Sequence, residues 1–138
     1  MYTVNDDQDQ PVNVKVKIYN PLQFAGWKEI KEEIESGEKQ YRIIAVGGDG
    51  TVSQIVEECD KNKIDFDMAP FGTIPTGTGN DFSRTIGWGS LPQKGLLDNG
   101  HAKIKEYIRY WIKPKPEKPN FDTWFCEIEV DAEKGSFQ

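Results

Sequence analysis

Twice in this chain, a short apolar run ends in a glycine-rich loop that leads into a helical pattern, and few folds accommodate that arrangement. The first run, Tyr41 to Val46, is continuous and does not alternate, as expected of a parallel strand covered on both faces. Such a strand should be central. Gly47-Gly48-Asp49-Gly50-Thr51 follows, and then Val52, Ile55, Val56 and Cys59 at the i, i+3, i+4 and i+7 spacing of a helix face. The second unit runs from a strand over Met68 to Ile74 through Pro75-Thr76-Gly77-Thr78-Gly79-Asn80-Asp81 into a short helix around Phe82 to Ile86. Two β-loop-α units in succession indicate an α/β fold with a mostly parallel sheet flanked by helices.

The flanking segments are consistent with this plan. Val12, Val14, Val16 and Ile18 alternate with Asn13, Lys15, Lys17 and Tyr19, which predicts a strand over 12–19 with one wet face. Trp27, Ile30 and Ile34 form one stripe of a surface helix that stops at Gly37. Residues 87–100 read as loop, and Ile104, Tyr107, Ile108, Trp111 and Ile112 mark another amphipathic helix. The basic residues of that helix, Lys103, Lys105 and Arg109, are expected on a solvated face. The proline-rich run at 113–119 cannot continue it and reads as an extended linker. Beyond it, Trp124, Cys126, Ile128 and Val130 alternate with Phe125, Glu127, Glu129 and Asp131 as a last strand. The expected division is therefore a catalytic unit over 1–112, a linker over 113–119 and the start of a second domain over 120–138.

Composition narrows the function classes. With 36% hydrophobic and 29% charged residues, the chain belongs with folded globular proteins. Its formal charge of −6 repels nucleic acid. Cys59 and Cys126 lack metal-ligand or redox spacing and read as small buried hydrophobes, and His101 is the only histidine. Catalytic acids, bases and metal ligands must then be mainly carboxylates. The longest aliphatic run, Ile43 to Val46, is far too short to cross a bilayer, and no signal peptide is expected.

A parallel strand that ends in glycines and starts a helix places free backbone N–H groups and the positive helix end at the strand's carboxyl edge, which attracts phosphate. Glycines there permit positive φ and let backbone approach a ligand closely. Asp49 would be repelled by a bare polyphosphate, so it implies either a divalent ion, Mg²⁺ first, or a hydrogen bond to a hydroxyl. The bland alternative is a tight βα turn with Asp49 or Thr51 capping the helix. Two such loops favour convergence on one ligand, since Thr76, Thr78 and Asn80 can bond phosphate, ribose or adenine edges. Neither loop is a Walker A or a dinucleotide Gly-x-Gly-x-x-Gly motif.

Val46-Gly47-Gly48-Asp49-Gly50-Thr51-Val52, with Ile74-Pro75-Thr76-Gly77-Thr78-Gly79-Asn80-Asp81-Phe82-Ser83-Arg84-Thr85-Ile86-Gly87-Trp88-Gly89, resembles a diacylglycerol kinase catalytic domain of the eukaryotic type. NAD kinases and phosphofructokinases are similar at the first loop, but not from Pro75 through Arg84. Phe121-Asp122-Thr123-Trp124 resembles the segment leading into the family's second domain. The resemblance covers roughly Tyr41 to Trp124. It implies a three-layer sheet of the NAD kinase/diacylglycerol kinase type and a β-rich second domain of which only the start is present. Asn20-Pro21 is rejected as the family's opening phosphate loop, because Leu22-Gln23-Phe24 lacks its glycines and small residues. The first strand is then missing, and the strand at 12–19 corresponds to the family's second.

The resemblance further implies transfer of the γ-phosphoryl of ATP to the free hydroxyl of diacylglycerol, giving phosphatidic acid in lipid signalling, with ATP and Mg²⁺ as cofactors. Gly47, Gly48, Gly50, Thr51, Thr76, Gly77, Thr78, Gly79 and Asn80 would bind nucleotide, and Asp49 would be catalytic and hold the metal. Asp81 is left between helix cap and metal ligand, while Phe82 and Arg84 read as packing and solvated surface. The alternatives are a related kinase acting on a sphingoid lipid or NAD, and an interaction domain that has lost turnover. The reading is of an inactive fragment of a cytoplasmic enzyme that is recruited to membranes through other parts, with dimerisation through an open sheet edge as a further expectation.

Overall fold

The computed structural model describes residues 1–6, 8–21, 23–92, 94–96, 98 and 101–112. They form a mixed α/β assembly: β1 (Tyr2–Asn5), β2 (Pro11–Val14), α1 (Trp27–Glu35), β3 (Ile43–Gly47), α2 (Asp49–Lys61), β4 (Phe71–Pro75), α3 (Asp81–Thr85) and α4 (Ala102–Trp111). The linker over 113–119, the strand at 124–131 and Cys126 lie outside the described residues. No described helix is long and apolar enough to cross a membrane.

Both expected β-loop-α units are present. β3 and β4 pair in parallel, with Ala45 opposite Thr73 and Gly47 opposite Pro75. Parallel pairing needs a crossover, and α2 supplies it. The helix buries Val52, Ile55 and Cys59 against Ala45, Ile34, Ile64 and Ala69, which form one core cluster. Phe71 sits in an edge-to-face chain between Phe66 and Phe82, at centroid distances of 6.0 and 5.8 Å. That chain ties β4 to α3 and closes one side of the core.

Two expectations are corrected. β3 is an edge strand among the described residues, paired only with β4. Its Val46 is 60% exposed although Ala45 beside it is fully buried, so an unbroken apolar run did not guarantee cover on both faces. The strand predicted over 12–19 is confined to Pro11–Val14 and pairs antiparallel with β1, a strand absent from the sequence reading. The local hairpin wins because its loop is short. Asp6 closes it: its Oδ1 accepts from the N–H groups of Gln8 and Gln10 at 2.9 and 2.8 Å, and its own N–H donates to the Gln10 carbonyl. Residues 15–20 are irregular, and Ile18 is 90% exposed.

α4 packs beside β1, burying Tyr107 and Ile108. Trp88 stacks on Tyr107 at 5.4 Å and on Trp111 at 5.8 Å, and meets Tyr110 edge-on at 4.9 Å. Arg42, just before β3, donates from Nε to the Trp111 carbonyl at 2.7 Å. This links α4 to the parallel sheet, and burial lowers the guanidinium pKa below its ordinary value. Lys105 and Arg109 are exposed, as a solvated helix face requires, whereas Lys103 is half-buried and its Nζ donates to the Lys94 carbonyl.

Candidate functional site

The two glycine loops leave the same ends of neighbouring parallel strands, and they touch. The Thr76 N–H donates to the Gly47 carbonyl at 3.0 Å, extending the ladder one step past β4. One residue further along each chain, Gly48 and Gly77 meet backbone to backbone. A Cβ on Gly48 would lie 3.0 Å from Gly77 Cα. A Cβ on Gly77 would come closer still to Gly48 Cα and would lie 3.1 Å from Gly48 N. Neither residue has room for a side chain.

Of the two reasons offered for the glycines, positive φ does not apply. Gly47, Gly48, Gly50, Gly77 and Gly79 are all absent from the positive-φ set, and Gly48 has φ −93°. Close approach makes the demand at Gly48 and Gly77. At Gly47 it is the Thr51 side chain, whose Cγ2 would stand 2.7 Å from an added Cβ. Gly50, in the first turn of α2, has nothing within 4 Å of the Cβ position.

Asp49 is the first residue of α2, but it does not cap that helix, which has no side-chain cap. Its carboxylate turns to the other loop: Oδ2 accepts from the Asp81 N–H at 3.0 Å and Oδ1 from the Phe82 N–H at 2.9 Å. Asp49 therefore caps α3 across the cleft between the loops. A carboxylate on two free N–H groups at a helix start is favoured by charge and by hydrogen bonding alike. Sequence reading could place an acid at the head of α2, but the donors it finds lie more than thirty residues away.

Asp81, which the sequence left between cap and metal ligand, caps nothing with its side chain; its carboxylate pairs with Arg84 on the surface. The position of a Cβ on Gly79 would be 3.1 Å from Asp49 Oδ2 and 3.9 Å from Asp81 Oδ2, so both carboxylates flank Gly79. Asn80 is buried, with φ 56°, and its side chain is bonded within its own loop. Thr76, Thr78 and Gly79 are exposed, while Gly77 and Thr51 are half-buried. Phe82 joins the core and Arg84 is exposed, as the sequence suggested.

The electrostatics follow from backbone more than from side chains. The first hydrogen bond of α2 runs from the Val52 N–H to the Gly48 carbonyl, leaving the N–H groups of Asp49, Gly50 and Thr51 with no partner inside the helix. They sit beside an exposed loop of threonines and glycine. The arrangement can hold an anion at the α2 end while Asp49 occupies the α3 end. Among the described residues no group of three or more His, Cys, Asp or Glu could hold a metal ion by itself. A shallow cavity of about 350 Å³, lined by Lys17, Tyr19, Phe24, Gly26, Glu29 and Glu33 among others, contains none of the glycine-loop residues.

Comparison with known proteins agrees with the motif reading. Residues 8–107 match the diacylglycerol kinase catalytic domain. The chain is 32% identical over 98 residues to a probable diacylglycerol kinase 3 of Caenorhabditis elegans, covering 71% of this chain and 11% of that protein. It is 33% identical over 107 residues to diacylglycerol kinase zeta of Homo sapiens, covering 76% of this chain and 10% of that one. Against diacylglycerol kinase iota of Mus musculus the identity rises to 48% over 63 residues, 46% of this chain and 6% of that one. The chain thus spans about a tenth of the length of the curated relatives it matches. No solved structure matches it. With the match extending over most of the chain, and both glycine loops inside it, the chain belongs to the diacylglycerol kinase catalytic domain family.

Proposed function

We propose that this chain is the nucleotide-binding part of an ATP-dependent lipid kinase that phosphorylates the free hydroxyl of diacylglycerol to phosphatidic acid. The observation that carries the reading is the contact of Gly48 with Gly77, which sets the starts of α2 and α3 side by side at one edge of the sheet. In phosphoryl transfer the oxygen–phosphorus bond to the leaving diphosphate of ADP breaks as a bond to the attacking hydroxyl oxygen forms and the hydroxyl proton is released, and catalysis is largely positioning and charge neutralisation. The N–H groups of Asp49, Gly50 and Thr51 serve the phosphates, and exposed Thr76, Thr78 and Gly79 complete the wall.

The donor set fits Mg²⁺, which binds one or two carboxylates together with substrate phosphates. Asp49 is bound to α3 through one lone pair on each oxygen, and a carboxylate oxygen offers two. Asp49 and the exposed Asp81 carboxylate would hold the ion, which would neutralise phosphate charge. The three-layer sheet, the β-rich second domain, cytoplasmic location, and recruitment of the whole protein to membranes belong to the same proposal.

The test is calorimetry of the chain with Mg-ATP beside the full-length protein assayed on a panel of diacylglycerol, sphingosine and NAD. Weak binding by the chain and phosphatidic acid from the full-length protein support the reading. Phosphorylation of NAD, or Mg-ATP binding with no turnover on any substrate, overturns it. Gly48→Asp should abolish activity: with φ −93° the backbone tolerates a side chain, but the new carboxylate meets Gly77 and the phosphates. Full activity in that variant would refute the phosphate cradle.

A further inference from the structure

Asn80 belongs to the set of nucleotide contacts expected from sequence, but the structure gives its side chain other work. The residue is 2% exposed. Its Oδ1 accepts from the Gly77 N–H at 3.0 Å, and its Nδ2 donates to the carbonyls of Gly77 and Ser90, both at 2.7 Å. An amide has two donor protons and one acceptor oxygen. Both protons are taken up inside the protein, so none is left to donate to a ligand.

The two bonds to Gly77 close a small ring that holds that residue's N–H and C=O at once. Gly77 is also where the second loop touches Gly48 of the first, and a Cβ on Gly77 would lie 3.0 Å from Asn80 Oδ1. The third bond anchors the ring to Ser90, two residues past Trp88, which is stacked on α4. The backbone at φ 56° lies in the left-handed region, which asparagine tolerates better than most side chains. Residue type and position thus answer three demands together: left-handed backbone, one acceptor and two donors. Aspartate has the shape but not the donors; glycine has the backbone but no bonds.

We infer that Asn80 is a positioning residue of the nucleotide site: it sets the Gly77 peptide, and through the Gly77–Gly48 contact the spacing of the two helix starts, without touching the nucleotide. This rests on the function proposed above. Asn80→Asp turns a carboxylate toward two carbonyl oxygens, and Asn80→Gly removes all three bonds while keeping the backbone angle.

In the full-length protein, both variants are compared with wild type for ATP KM, lipid KM and kcat, and for hydrogen exchange of the peptide containing Gly77 with no nucleotide present. The expected result is an ATP KM raised about 10–100-fold, an unchanged lipid KM, and faster exchange at Gly77 before any ligand is added. A raised ATP KM with unchanged exchange would mean that Asn80 contacts the nucleotide directly, and a lowered melting temperature with unchanged ATP KM would mean an ordinary core residue. Either result overturns the inference. If Asn80→Asp fails to fold, Asn80→Gly carries the test, because its backbone adopts φ 56° without strain. A wild-type protein that neither phosphorylates diacylglycerol nor binds Mg-ATP overturns the proposed function, and the inference with it, before any variant is compared.

Discussion

Replacing Gly77 with alanine adds one methyl group at the closest contact between the two glycine loops. The new Cβ would meet Gly48 Cα inside the 3.0 Å that real Cβ atoms keep clear, and would lie 3.1 Å from Gly48 N. Carbon atoms pack best at about 3.5–4.0 Å, so the loops must separate by about 1 Å. Neither obstacle is a flexible side chain; both are backbone. Overpacking of this kind costs about 1–3 kcal/mol. The adjacent bond from the Thr76 N–H to the Gly47 carbonyl, now 3.0 Å, would be stretched beyond use, at about 1 kcal/mol more. The sum, about 2–4 kcal/mol, corresponds to a melting temperature lower by about 6–12 °C for a domain of this size. A 1 Å displacement of positioning groups can also cost a factor of about 100 in kcat/KM for ATP. Differential scanning calorimetry of the chain and ATP kinetics of the full-length protein read the two effects separately. The internal control is Gly50→Ala: nothing lies within 4 Å of the added methyl and φ is not positive. Within the first turn of α2 that change should raise stability by up to about 1 kcal/mol. If Gly77→Ala melts and turns over like wild type, the backbone-contact explanation of the glycines is wrong.

Other consequences are as direct. Asp49→Asn should cost about 1–2 kcal/mol in urea unfolding, because its amide can accept only one of the Asp81 and Phe82 N–H groups and presents a donor to the other; unchanged stability would refute the cross-loop cap. Cys59 is fully buried, and burial pushes its thiol up to about 12, so a thiol reagent at pH 8 should label it in a Cys126→Ser background only at the rate of unfolding. The sign for stability follows: between the unfolded value of 9.0 and about 12 the unfolded thiol loses its proton while the folded one keeps it, so this residue's contribution falls as pH rises through that window. A Cys59→Ala comparison, with stability measured at pH 8 and pH 10, would show whether the alkaline loss belongs to this residue.

Much of the architecture is written in local patterns. The period of Val52, Ile55, Val56 and Cys59 located α2, the stripe of Trp27, Ile30 and Ile34 located α1, and the breaks at glycine and proline placed the loops after β3 and β4. Such features depend on residues within one or two turns of each other, and periodicity reports them faithfully. Pairing is another matter. The alternation at 12–19 was real, yet the partner of Pro11–Val14 is Tyr2–Asn5, whose strand-favouring Tyr, Thr and Val span only four residues, too few to establish a period. The turn held by Asp6 brings that short segment alongside Pro11–Val14, a pairing that no period in either segment announces.

At the site, sequence marked both glycine loops because glycine spacing after a strand is a local chemical signature. It gave the glycines two reasons, positive φ and close approach of a ligand; the fold brings Gly48 and Gly77 against each other, and the left-handed angle fell on Asn80 instead. Sequence alone determined that two loops rich in backbone donors follow two parallel strands, and that the ionisable groups available there are carboxylates. The tertiary structure decided that Asp49 reaches α3 and that Asn80 folds back on Gly77 while reaching Ser90. A carboxylate or an amide takes whichever donors and acceptors folding brings within about 3 Å, and no pattern in the order of residues names a partner thirty positions away.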